Sequence, residues 1–149
     1  MRGRILFIAL LWFGTAVAVA DALTTLKSAH NVSETMNRFE NAVRDAGLTV
    51  FARIDHGEQA GNVGLGLRPT QLLIFGSPKV GTHLMQSTQR IGLDLPLKVL
   101  VWEDAEGKVW LGYLPVAILL QRYAIDDRAE IRTKMTGLLA KLARAATMP

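Results

Sequence analysis

Cysteine is absent from this 149-residue chain, and that absence removes three chemistries at once. The chain has no disulfide, no thiolate nucleophile and no cysteine-ligated metal, so packing alone must stabilise its fold. Strong charge of one sign is missing too. The 17 basic and 13 acidic residues give a net of +4, and setting aside Arg2 and Arg4 leaves 15 against 13, a net of +2. That balance does not supply the clustered basic surface a polyanion demands, so nucleic acid is not an expected partner. There is no internal repeat, no low-complexity tract and no linker long enough to separate two domains.

The first twenty residues are patterned for export. Arg2 and Arg4 form a positive start, Ile5 to Phe13 an apolar core, and Ala18-Val19-Ala20 a small-x-small cleavage pattern. The uncharged run from Ile5 to Ala20 falls short of the roughly 20 residues that cross a bilayer core. The expectation is a signal peptide over 1–20, cleaved after Ala20, and a periplasmic or secreted domain over 21–149 with no stable membrane span. The alternative is an uncleaved anchor in the inner membrane with its basic end in the cytoplasm. No cysteine follows the signal, which excludes lipoprotein attachment.

Beyond the signal the elements alternate. Leu23 to Ala29 suits a first strand. Asn31 or Ser33 can cap a helix whose apolar face is Val32, Met36, Phe39, Val43 and Ala46, with Gly47 as its stop. Thr49 to His56 reads as a strand, with Val50, Ala52 and Ile54 on one face and Phe51, Arg53 and Asp55 on the other. A glycine-rich connection follows, in which Gln59 to Asn62 can form one helical turn. Gln71 to Phe75 is a nearly continuous apolar run, predicting a strand covered on both faces. Ser77-Pro78 can open a helix with Val80, Leu84 and Ile91 on its buried side, closed by Gly92. Pro96–Glu103 and Lys108–Leu114 form a hairpin around Asp104-Ala105-Glu106-Gly107. Pro115 to Ile125 is a short apolar helix. Asp127 and Glu130, in capping-box spacing, start a terminal helix with the face Ile131, Met135, Leu138, Leu142 and Ala145. Strands interrupted by helices, with a hairpin near the end, predict an α+β sandwich.

The segments Ala52-Arg53-Ile54-Asp55-His56, Leu67-Arg68-Pro69-Thr70, Leu73-Ile74-Phe75-Gly76, Pro78-Lys79, Gly81-Thr82, Leu84-Met85 and Leu95 to Glu103 carry a resemblance. Together they resemble the bacterial family catalogued as domain of unknown function 302, over about Thr35 to Tyr123. The resemblance implies an antiparallel sheet covered on one face by helices, similar to half of the TATA-binding protein, with no DNA binding implied. It brings no established reaction or ligand. His83 stands where that family's pattern usually has proline, so any role of His83 would be particular to this chain.

Four features offer chemistry. Asp55-His56 has the residue types of an acid/base pair, the carboxylate orienting the imidazole. In a regular strand, however, neighbours point to opposite faces, and Asp55 then serves an arginine while His56 ends the strand. Asp55, His56, Glu58 and His83 are the available ligands for a divalent metal, but no His-x-x-x-His spacing joins them. The turn Gly76-Ser77-Pro78-Lys79-Val80-Gly81-Thr82 has phosphate-loop glycine spacing, yet Thr82 stands where that motif requires lysine. A small-anion site using Lys79, Thr82 and free amides competes there with an ordinary strand-to-helix turn. The terminal helix carries Arg128, Arg132, Lys141 and Arg144 beside its stripe, which suits a membrane surface or partner helix but more often covers a sheet. Trp102, Trp110 and Tyr113 suit either a pocket or the core.

The resulting expectation is an exported, non-enzymatic module for a small ligand (an anion or a metal) or for a protein. Its ligand-binding residues would be His56, Gly76, Lys79, Gly81 and Thr82, gathered in one corner. No cofactor is expected, and a divalent metal at Asp55, His56 and His83 is the weaker option. The alternatives are a hydrolase or isomerase using Asp55 and His56, and a structural homodimer built through a sheet edge or the terminal helix.

Overall fold

The computed structural model describes residues 23–149; the expected signal peptide and its cleavage point lie outside the described residues. The strands are β1 (Thr24–Lys27), β2 (Thr49–Asp55), β3 (Thr70–Gly76), β4 (Leu97–Glu103) and β5 (Val109–Tyr113). The helices are α1 (Val32–Asp45), α2 (His56–Asn62), α3 (Pro78–Ser87), α4 (Val116–Arg122) and α5 (Ala129–Thr147), with a 3-10 helix at Gln89–Leu93. The strands form one sheet in the order β1-β5-β4-β3-β2, antiparallel at every pairing. The protein is an α+β open sheet with helices packed on one face.

Local chemistry sets the ends of α1. Asn31 Oδ1 accepts the Glu34 N–H at 2.8 Å, a cap worth about 1 kcal/mol, and Gly47 leaves the helix at φ +73°. Val32, Met36, Phe39 and Val43 are buried, whereas Ala46 is the exposed C-cap and not part of the face. Their partners on the sheet are Leu73 and Phe75 of β3, Val99 and Val101 of β4, and Leu111 of β5, all fully buried. The Phe39 and Phe75 rings meet edge to face with centroids 5.2 Å apart. Helix α5 packs beside α1 and buries Leu139, Leu142, Ala143 and Ala146, while Ala145 is exposed. Arg38 of α1 donates to the carbonyls of Ala145 and Met148 at 3.3 and 2.9 Å, placing a cation at the negative end of α5.

Three expectations are corrected. First, among the described residues nothing covers the second face of β3: Leu73 and Phe75 enter the core, but Leu72 and Ile74 lie half-buried on the face opposite the helices. Second, β2 has a bulge between Val50 and Ala52. The extra residue moves Val50 against the core and breaks the alternation expected from Val50 to Ile54. Third, Asp127 does not cap α5. Arg128 holds that position with no side-chain capping bond, and Asp127 instead accepts from the Ser87 hydroxyl and pairs with Arg128. The hairpin forms as expected: Gly107 sits at φ +72° and Asp104 Oδ1 accepts the Glu106 and Lys108 N–H groups.

Candidate functional site

Asp55 ends β2 and caps α2. Its Oδ1 accepts the Glu58 N–H at 2.9 Å and its Oδ2 the Gln71 Nε2–H at 2.7 Å. The Glu58 amide, with Gln71 and Gly57 adding to it and burial opposing, holds the Asp55 carboxyl below its ordinary value. His56 is the first residue of α2, so strand gives way to helix between the two. Both Asp55 oxygens serve the fold, and no hydrogen bond joins Asp55 to His56 among the described residues. The helix there is longer than the single turn expected, because Asp55 starts it.

His83 lies exposed on α3, with Nδ1 3.2 Å from Gln86 Oε1. Among the described residues no three His, Asp or Glu side chains converge in a way that could hold a metal. Asp55, His56 and His83 are therefore not brought together.

The expected corner is divided by the sheet register. Thr49 pairs with Gly76 at one end of the β2–β3 ladder and Asp55 with Gln71 at the other. The five residue steps between Gln71 and Gly76 span roughly 17 Å at ~3.3 Å each. His56 thus sits at the far end of β3 from the Gly76–Thr82 turn.

That turn borders a cavity of about 310 Å³. Gly76, Ser77, Pro78, Val80, Gly81 and Thr82 form one wall, Leu95, Pro96 and Leu97 another, and Met135, Leu138, Leu139 and Leu142 of α5 a third. Phe75, Leu84 and Met85 complete it, and Phe51, half-exposed, stands among its lining residues. Only two side chains of the lining carry hydroxyls, and both are engaged. Ser77 Oγ accepts the Val80 N–H at 3.4 Å, and the Thr82 hydroxyl donates to the Pro78 carbonyl at 2.8 Å. The Gly81 N–H is taken by the Ser77 carbonyl. Lys79 is exposed and does not line the cavity. An anion would find few free donors here, whereas an apolar molecule would find a matching wall. Two methionines add adaptable surface.

Local sequence signals marked the turn but not its partners. Met135, Leu138 and Leu142 read as a stripe covering a sheet, and nothing near them in sequence indicates that they face a gap under α3.

Comparison with known proteins agrees with this architecture. The model of the family described as domain of unknown function DUF302 matches residues 24–142. The chain is 43% identical over 132 residues to the fluoride-specific ion channel FluC 1 of Brucella suis biovar 1 (strain 1330), covering 86% of this chain and 52% of that protein. FluC 1 of Brucella abortus biovar 1 (strain 9-941) is likewise 43% identical over 132 residues, with 86% and 49% covered. The chain spans about half the length of these curated relatives. Among solved structures, an uncharacterized conserved DUF302 protein from Bacillus stearothermophilus superposes with a TM-score of 0.76 at 20% identity, covering 85% of this chain and 99% of that one. At that identity the likeness is one of fold. With the family model matching most of its length, the chain belongs to the DUF302 family.

Proposed function

We propose that this chain is an exported, non-enzymatic binding domain whose ligand is a small, uncharged, largely apolar molecule held beneath the β3–α3 turn. The observation that carries the reading is the 310 Å³ cavity walled by leucine, methionine and glycine with its hydroxyls already bonded. Its volume lies at the lower end of the range of small-molecule sites. The earlier expectation of an anion or metal gives way to an apolar ligand, because Lys79 and His56 stand apart from the cavity.

The test is native mass spectrometry of protein recovered from its own compartment, followed by titration with an uncharged apolar fluorophore. Leu138→Trp, which fills the cavity, is expected to weaken fluorophore binding at least tenfold, and Lys79→Ala to leave it unchanged. The opposite pattern would return the site to an anion.

A second reading rests on the relatives. They are named as fluoride channels, and a channel needs membrane-spanning segments. No helix among the described residues is long and apolar enough to cross a membrane, and about half of each relative lies outside the match. This supports a domain that works beside a membrane channel without conducting. Purified protein added to vesicles is expected to produce no fluoride flux; flux from this chain alone would overturn the reading.

A further inference from the structure

The cavity beneath the β3–α3 turn has a length and a chemical gradient as well as a volume. Helix α5 packs against α1, α4 and β1 and not closely against α3, so α3 and α5 stand as separate walls. Pro78, Thr82 and Met85 line the cavity from α3, and Met135, Leu138 and Leu142 from α5. Their spacings of three and four put each set on a single helical face. Each set spans seven residue steps, about 10 Å of wall at 1.5 Å per residue. The floor agrees. It crosses from Phe51 of β2 through Gly76 of β3 to Leu97 of β4, two strand spacings or about 10 Å. A volume of about 310 Å³ over that length leaves a cross-section on the order of 30 Å². Phe51, Pro78 and Thr82 are exposed and mark the mouth, whereas Leu84 and Leu142 are buried and mark the deep part. No charged side chain is among the lining residues. The Thr82 hydroxyl has given its hydrogen to the Pro78 carbonyl, but its oxygen keeps acceptor capacity, and Ser77, which accepts from Val80, keeps a proton to donate.

We propose that the occupant is an unbranched aliphatic chain of about eight carbons that ends in a hydroxyl or another uncharged hydrogen-bonding head. The inference rests on the reading of the cavity as an apolar ligand site and narrows it. An extended chain advances ~1.25 Å per carbon, from a C–C bond of ~1.52 Å, so about 10 Å of slot takes about eight. The cross-section admits one such chain and refuses a fused-ring body. A flat aromatic ligand finds little to stack on, because Phe75 already meets Phe39 edge to face and Phe51 stands half-exposed at the mouth. Leucine and methionine walls give methylene groups the many close contacts from which dispersion adds up. At the mouth a hydroxyl head can both donate and accept, which suits Thr82 and Ser77. A carboxylate head only accepts and would leave water without meeting a cation. Gly81 sets the room between the α3 wall and Leu95. A Cβ there would stand 3.9 Å from Leu95 Cδ1, an ordinary contact distance, so a methyl group fits the fold and takes its space from the ligand. Gly81 is therefore the residue that determines the accepted chain length.

The test is an NMR titration of protein produced from the full chain with straight-chain 1-alkanols from butanol to dodecanol. Affinity is expected to rise about fourfold per added carbon, the equivalent of ~0.8 kcal/mol per buried methylene, and to level off near about eight carbons. Octanoate at neutral pH should bind about tenfold more weakly than octanol, and branched or cyclic alcohols of the same carbon number should also bind more weakly. Gly81→Ala should lower the cut-off by about one or two carbons and leave butanol binding unchanged. Gly137→Ala, on the exposed side of α5 with open space around its Cβ, is the matched helix-glycine control and should leave the whole series unchanged. Circular dichroism checks that both variants fold. If the apolar fluorophore binds and Leu138→Trp abolishes it, but alkanols show no cut-off or straight and branched isomers bind alike, the chain is overturned and the cavity reading stands. If neither fluorophore nor alkanols bind, both are overturned.

Discussion

Gln71 donates to Asp55 at 2.7 Å across the β2–β3 pair, and this bond, with the Glu58 amide on the other oxygen, makes Asp55 a structural carboxylate. The two residues lie opposite each other in the ladder. One side chain therefore ties the end of β2 to β3 and starts α2.

Removing it has a size and a pH dependence. Asp55→Ala is expected to cost about 1 kcal/mol at neutral pH, as lost helix caps do. Because the folded carboxyl is held below its ordinary value, its stabilisation is present above the unfolded value of about 3.9 and is lost as pH falls through the folded one. Asp55→Asn keeps a capping oxygen without the charge, so its stability should converge on wild type only as pH falls through the lowered folded value of Asp55. Urea midpoints at neutral and acid pH check this. Asp94, Asp104, Glu40 and Glu130 are also held low, so acid destabilisation should persist in the variant in reduced form. Binding of the apolar fluorophore should be unaffected, since Asp55 lies at the far end of β3.

The helix–sheet contact centres on Phe39 and Phe75, both fully buried. Phe39→Ala is expected to cost about 3–5 kcal/mol. A double-mutant cycle with Phe75→Leu should return a coupling of about 0.5–1.5 kcal/mol from the edge-to-face geometry. Additive effects would mean that the rings act only through buried area.

Gly112 lies under the Trp102 indole, and a Cβ added there would stand 2.9 Å from the ring, closer than van der Waals contact allows. Gly112→Ala must displace the indole and is expected to cost about 1–3 kcal/mol, as overpacking does. Tryptophan emission should shift at the same time. A neutral substitution with unchanged emission would show that the indole does not rest there. Gly107, at φ +72° with open space around it, is a contrasting case: alanine there would meet backbone strain and no clash.

Much of the architecture was legible in the chain because it is written locally. Asn31, the four-and-three spacing from Val32 to Val43 and Gly47 mark α1 from cap to stop. Ser77-Pro78 marks the start of α3, and Asp104 to Gly107 mark the hairpin. Each signal acts within a few residues, where helix periodicity and turn chemistry operate. The resemblance to the DUF302 family added the placement of helices on one face.

The candidate site was less legible. Gly76, Gly81 and Thr82 do border a cavity, but His56, drawn near them by sequence proximity, stands at the other end of β3. Antiparallel pairing is the reason: β2 runs away from the turn that follows β3, so residues joined by a short stretch of chain end up a strand length apart.

By itself, then, the sequence determined most of the elements, the caps of α1 and α3, the hairpin turn, the absence of thiol chemistry and the family. Tertiary structure decided which faces meet. It set α5 against the β3–α3 turn to leave an apolar cavity, committed both Asp55 oxygens to the fold and placed Leu72, Ile74 and Leu100 on the face opposite the described helices. Strand order, register and a single bulge are long-range choices, made by the summed packing of the core and by no short run of residues.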